Sequence, residues 1–141
     1  MNIWLLRHGI AEPFSSAPDA SRELSEKGRK KFANDIPDYM KLIGPDPVIW
    51  TSPLVRARQT AEMLAAAYGG IDVVENKALA DGEHEVLHRS LDQADPTRNY
   101  VLVGHEPYLS EFYRIETGLF IGLKKGAMIC FEFDDEESTA D

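Results

Sequence analysis

Five short apolar runs, at residues 3–6, 48–50, 71–74, 100–103 and 128–133, are separated by stretches whose apolar side chains recur at helical spacing. No other feature of the chain constrains its fold as strongly. Each run is too short for a helix, and most are continuous rather than alternating, as strands covered on both faces require. Between them, Phe32, Ile36, Tyr39, Met40 and Ile43 line one helix face, with Ser25 as its cap and Pro37 as a kink or break. Leu54, Ala57, Ala61, Leu64, Ala65 and Tyr68 form a cleaner stripe that stops at Gly69 and Gly70, and Val86, Leu87 and Leu91 mark a shorter helix. Strand alternating with helix predicts an α/β fold, a three-layer α/β/α sandwich around a mainly parallel central sheet.

A chain of 141 residues suits one domain with one sizeable core, expected over residues 1–133. The net charge is −9, and five of the acids, Asp134, Asp135, Glu136, Glu137 and Asp141, fall in the last eight residues, which leaves −4 on the rest. Residues 134–141 therefore read as an acidic, disordered tail. An excess of acid disfavours nucleic acid as a partner, because binding its backbone presents Lys and Arg to phosphates. No apolar run approaches the ~20 residues that cross a bilayer, and the N-terminus has no basic segment ahead of its short apolar run, so neither a membrane nor a secretory role is expected. The single Cys130 forms no internal disulfide and agrees with a cytoplasmic location.

In sheets of this kind ligands bind outside the carboxyl ends of the strands. The first strand runs into Arg7-His8-Gly9 and the fourth into Gly104-His105-Glu106, which puts two of the four histidines at equivalent places on one rim. Each has a neighbouring glycine, which lets backbone approach a ligand closely. The second strand ends at Thr51-Ser52-Pro53, where Ser52 reads as an N-cap and Pro53 as the first helical residue, ahead of Arg56 and Arg58. A strand-end histidine alone is more often structural than functional. Two of them with Arg7 and a helix-borne arginine make a site for a phosphate-sized anion. A neutral imidazole is a competent nucleophile toward phosphorus, nearby guanidinium groups lower its pKa, and planar arginine forks match phosphoryl oxygens. Helical periodicity does not choose between Arg56 and Arg58, and the scheme requires no metal or other cofactor.

These blocks resemble the histidine phosphatase superfamily, also called the phosphoglycerate mutase-like family. Arg7-His8-Gly9, the stretch Ser52-Pro53-Leu54-Val55-Arg56-Ala57-Arg58-Gln59-Thr60-Ala61 and Val103-Gly104-His105 match its three motifs in order. Within it, Arg22-Glu23-Leu24-Ser25 before Gly28, and Lys124-Lys125-Gly126-Ala127 leading into a strand, are similar to the SixA-type phosphohistidine phosphatases. The resemblance implies the phosphoglycerate mutase-like fold and His8 as a nucleophile that becomes phosphorylated. It implies Arg7, Arg56 and His105 as the groups that bind and stabilise the phosphoryl unit, and favours Arg56 over Arg58. Gly9 and Arg22 are further candidates for substrate binding. The general acid of larger relatives has no clear counterpart: the corresponding stretch offers Glu83 or Asp81. An imidazole leaving group carries its own proton, so a phosphohistidine-bearing protein is the leading substrate and a small phosphorylated molecule the alternative. SixA-type chains usually continue into one more hydrophobic stretch, so an edge element is expected to be missing or replaced.

Rival readings come from two other features. His84-Glu85-Val86-Leu87-His88 fits the zinc-protease pattern H-E-x-x-H, with Glu106 as a conceivable third ligand. A catalytically dead module that only binds phosphorylated partners would keep the same pocket without turnover. Trp4 and Trp50 read as core. Tyr108 and Phe112 read as helix packing rather than pocket rim, and Arg22 serves equally as an entrance residue or as half of a surface salt bridge.

Overall fold

A computed structural model describes residues 1–14 and 17–134. Its central strand is β4 (Tyr100–Gly104), buried along its whole length, as the uninterrupted apolar run from Tyr100 to Val103 predicts. Parallel neighbours flank it: β1 (Asn2–Arg7) on one side and β2 (Val48–Thr51) on the other. Outside these lie β3 (Val73–Glu75), parallel to β2, and β5 (Met128–Glu132), antiparallel to β1, so the order is β3-β2-β4-β1-β5.

Two cores cover the two faces. The period-2 alternation along β4 sends Val101 and Val103 to one face, where Phe32, Ile36 and Ile43 of α1 (Glu26–Ile43) and Ala57, Ala61 and Leu64 of α2 (Val55–Ala67) meet them. Tyr100 and Leu102 go to the other, against Ala78 and Leu79 of α3 (Ala78–Asp81), Leu87 and Leu91 of α4 (His84–Asp92) and Leu109, Phe112 and Tyr113 of α5 (Tyr108–Thr117). Each fully buried aliphatic side chain contributes roughly 2 kcal/mol relative to exposure. These are the layers expected from the sequence. Phe112 is core; Trp4 and Trp50 are half-buried at its margins.

Several local expectations shift. Ser25 does cap α1, accepting from the Gly28 amide at 2.9 Å, but Pro37 does not break the helix; it lies on the exposed face. β3 starts at Val73, two residues later than the apolar run suggested. α2 starts at Val55 with Leu54 before it, and Ser52 is not its cap. Ser52 directly follows β2 and donates its amide to the Val103 carbonyl at 2.9 Å. The expected acidic tail lies, apart from Asp134, outside the described residues, as does any edge element beyond β5. No helix among the described residues is long and apolar enough to cross a membrane.

Candidate active site

Parallel pairing brings three chain segments side by side at one rim. The register of β1 on β4 puts Arg7 opposite Gly104, and the His8 amide donates to the Gly104 carbonyl at 3.1 Å, so His8 and His105 leave the sheet together. Their ring centroids are 5.1 Å apart. Ser52 follows β2 on the other side of β4, and its Oγ lies 2.7 Å from His105 Nε2. A turn before β5 closes the back: the Gly126 amide donates to the carbonyls of both Arg7 and His8, each at 3.0 Å.

His8 is buried, with Nδ1 2.7 Å from the Gly9 carbonyl. A carbonyl only accepts, so Nδ1 carries the proton and Nε2 keeps its lone pair. Burial lowers the His8 pKa to about 4; the Gly9 bond opposes this, and Arg56, Arg7 and Arg22 reinforce it. His105 is lowered to about 3, first by burial, then by His8 and Arg56, with Asp19 opposing and Arg7 adding. Both rings are neutral at neutral pH. Arg56 and Arg7 act on both, so their charges converge on one place.

The arginines are fixed by different elements. Arg7, at the end of β1, donates from Nη1 to the Leu123 carbonyl at 2.9 Å. Arg56, one residue into α2, is buried and gives both terminal nitrogens to Asp19: Nη1 to its carbonyl at 2.9 Å and Nη2 to Oδ2 at 3.1 Å. Thr60, one turn on, accepts the Gly9 amide at 3.1 Å and donates to the Arg56 carbonyl, which ties the two motifs together. Among the described residues, four buried side-chain polar atoms have no hydrogen-bond partner: Trp4 Nε1, Arg7 Nε, Arg56 Nε and His105 Nδ1. Three of the four belong to this rim. Unpaired buried donors cost about 1–3 kcal/mol each, so their coincidence marks a place built for an acceptor.

The remaining sequence candidates are sorted by position. Arg58 points away, paired on the surface with Glu62 and Glu75, each at 3.0 Å. Arg22 is in a salt bridge, donating to Asp19 Oδ1 at 3.1 Å, and donates to the Glu12 carbonyl at 3.0 Å. A Cβ on Gly9 would meet Leu24, just ahead of α1, at 3.3 Å, and one on Gly104 would meet Leu109 of α5 at 3.1 Å, so both positions are closely packed. Glu83 is exposed at the start of α4, and Asp81 lies 3.8 Å from Lys77; neither contacts the histidines or arginines of the rim.

The geometry gives the zinc reading no support. His84 Nε2 lies 3.1 Å from Glu111, and His88 Nδ1 2.6 Å from Glu116, two separate bridges from α4 to α5. Glu106 accepts from the amides of Ser110 and Leu123, and from the Ser110 hydroxyl, and so serves the fold. Among the described residues, no group of three His, Cys, Asp or Glu is placed to hold a metal.

Sequence reasoning missed Asp19 and the Ser52–His105 contact. Asp19 lies in a single 3-10 turn, Asp19–Ser21, inside a stretch with no periodicity, where the only signal was its i,i+3 spacing to Arg22.

Comparison with known proteins bears on the family and the fold. The sequence profile of the histidine phosphatase superfamily, branch 1, matches residues 3–117, and the chain belongs to that superfamily, which makes it a phosphatase by class. An uncharacterized protein of Picosynechococcus sp. is 36% identical over 137 residues, 92% of this chain and 83% of its own. Among solved structures, the protein histidine phosphatase SixA complexed with tungstate superposes with a TM-score of 0.84 at 18% identity, over 97% of this chain and 90% of that one. SixA from Agrobacterium tumefaciens superposes at 0.78 with 22% identity, over 96% and 91%. A phosphoserine phosphatase of Entamoeba histolytica shares the fold at 0.72 with 16% identity, over 94% and 91%.

Proposed function

We propose that the chain is a phosphohistidine phosphatase acting through a covalent phosphohistidine on His8, with a phosphohistidine-bearing protein as substrate. The observation that carries this reading is the group of three unpaired buried nitrogens, Arg7 Nε, Arg56 Nε and His105 Nδ1, around a neutral His8. A phosphoryl group supplies the acceptors they lack. His8 Nε2 attacks phosphorus while Gly9 holds the proton on Nδ1. The bond to the leaving nitrogen breaks, and its electron pair stays on that nitrogen. Arg7, Arg56 and His105 stabilise the charge shared among the equatorial oxygens. Ser52 fits as donor to His105 Nε2, which places the His105 proton on Nδ1, toward the phosphoryl unit. Water then attacks the phosphoenzyme and His8 is regenerated.

Two features favour phosphohistidine over a phosphate ester. Among the described residues no carboxyl group hydrogen-bonds to His8 or His105, and the chain superposes on the two SixA structures at TM-scores of 0.84 and 0.78, against 0.72 for the phosphoserine phosphatase. The small-molecule alternative stays in view because a phosphoserine phosphatase has the same fold. Residues 1–133 are taken as one catalytic domain, and the half-buried thiol of Cys130 suits a reducing cytoplasm.

The test is to incubate the protein with a phosphohistidine-bearing protein and, in parallel, with phosphoserine and a sugar phosphate. An acid-labile, alkali-stable phosphoenzyme that disappears in His8→Ala is expected, with turnover fastest on phosphohistidine. Equal or better turnover of the esters assigns the enzyme to small molecules; binding without phosphate release makes it a reader. Normal turnover by His8→Ala ends the covalent scheme.

A further inference from the structure

We propose that Asp19 determines the leaving-group specificity of this site: its carboxylate receives the ring N–H of a protonated phosphoimidazole and so selects N–P over O–P substrates. This rests on the phosphohistidine reading above and deepens it.

Asp19 is tied to the phosphate-binding machinery by three hydrogen bonds. Arg56 Nη1 donates to its carbonyl at 2.9 Å, Arg56 Nη2 to Oδ2 at 3.1 Å and Arg22 Nε to Oδ1 at 3.1 Å. Its carboxylate is thus fixed at both oxygens, and each oxygen retains capacity for a further donor. Its side chain is 48% exposed, whereas that of Arg56 behind it is 8% exposed, so the carboxylate stands on the solvent side of Arg56. That is the side from which a leaving group must depart once phosphorus is held by the buried Nε atoms of Arg7 and Arg56 and by His105 Nδ1.

The charge state of Asp19 decides what it can do. Partial desolvation raises its pKa, but Arg56 and Arg22 outweigh this and hold it below the usual carboxylate range. An ionised carboxylate has no proton to give, so Asp19 is not the general acid that an alkoxide leaving group needs. A fixed anion also repels a phosphate dianion. Already paired with Arg56 and Arg22, this carboxylate gains a further partner when the incoming group brings positive charge.

Phosphohistidine does so when the ring nitrogen remote from phosphorus is protonated. In that form the chemistry balances with no donor. The His8 Nε2 lone pair forms the new bond to phosphorus and the old P–N bond breaks. Its electron pair remains on the departing nitrogen, and the ring leaves as neutral imidazole carrying its remote N–H. Asp19 stabilises the reactive cation and offers nothing to an ester. The lack of a carboxyl acid at the rim and the presence of a fixed carboxylate at its mouth then have one explanation.

The test compares kcat/KM for a phosphohistidine peptide with that for p-nitrophenyl phosphate, whose leaving group needs no acid, in the wild type, Asp19→Asn and Asp19→Glu. Asp19→Asn keeps an oxygen acceptor for Arg56 and removes the charge. The ratio of phosphohistidine to aryl phosphate turnover is expected to fall at least tenfold in Asp19→Asn and to recover, at least in part, in Asp19→Glu. An unchanged ratio, with both activities lowered together, overturns the proposal and leaves Asp19 as a prop for Arg56. A wild type that hydrolyses the aryl phosphate but not the peptide refutes the phosphohistidine reading itself, and the specificity role with it. Thermal melts of the variants confirm folding; an exposed turn residue is not expected to shift them.

Discussion

Acid should unfold this protein through two buried histidine rings. His8 and His105 are buried neutral, with pKa values lowered to about 4 and about 3 from 6.5. Below pH 6.5 the unfolded chain takes up protons at these positions that the folded chain refuses, so stability rises with pH and drains away as pH falls from 6.5 toward 4. At pH 5, about 1.5 pH units below the free value, each ring costs about 2 kcal/mol and the pair about 4 kcal/mol. That is a large part of the ~5–15 kcal/mol that holds a typical domain folded. The check is urea unfolding at pH 7 and pH 5 of the wild type and of the double variant His8→Asn/His105→Asn, which cannot titrate there. The wild type should lose about 4 kcal/mol more than the variant over that interval. The bridges His84–Glu111 and His88–Glu116 remain in both proteins and drop out of the difference. Equal losses in the two proteins would refute the claim that folding holds these rings neutral.

The geometry leads to further expectations. Arg56→Ala should lower kcat/KM by about 100-fold or more, whereas Arg58→Ala, an exposed group with surface partners, should change it by less than about threefold; comparable losses would mean the wrong arginine has been assigned. A Cβ on Gly28 would lie 2.0 Å from the Ile10 carbonyl oxygen, two residues past His8. Gly28→Ala should therefore cost about 3 kcal/mol and lower Tm by about 6–12 °C, and an unshifted melt counts against the packing described. Ser52→Ala should reduce kcat about tenfold by releasing His105 Nε2, with KM little affected; a change confined to KM would place Ser52 in binding instead. Activity should survive dialysis against a chelator, and a loss that zinc restores would revive the H-E-x-x-H motif as a functional site.

Much of this was legible in the chain itself, for a local reason. A continuous run such as residues 100–103 can only be satisfied by cover on both faces, and the helical stripes between the runs supply that cover, so the layers follow from spacing. Strand ends are equally local: with β1 and β4 parallel, residues directly after each run share a rim, which is why His8 and His105 were found together. Arg56 against Arg58 was not decidable that way. Two residues apart on a helix they point in different directions, but which direction meets the rim depends on how α2 is rotated against the sheet, and the packing of Ala57, Ala61 and Leu64 sets that.

Chain order thus determined the layers, the rim and the residue types gathered there, because periodicity within an element is fixed by its own backbone geometry. Tertiary structure alone decided that Ser52 turns to His105 rather than capping a helix, that His84 and His88 pair across to α5, and that Asp19 reaches Arg56 from 37 residues away. Those contacts join elements whose relative placement comes from packing two cores at once, and no single stretch of sequence encodes it.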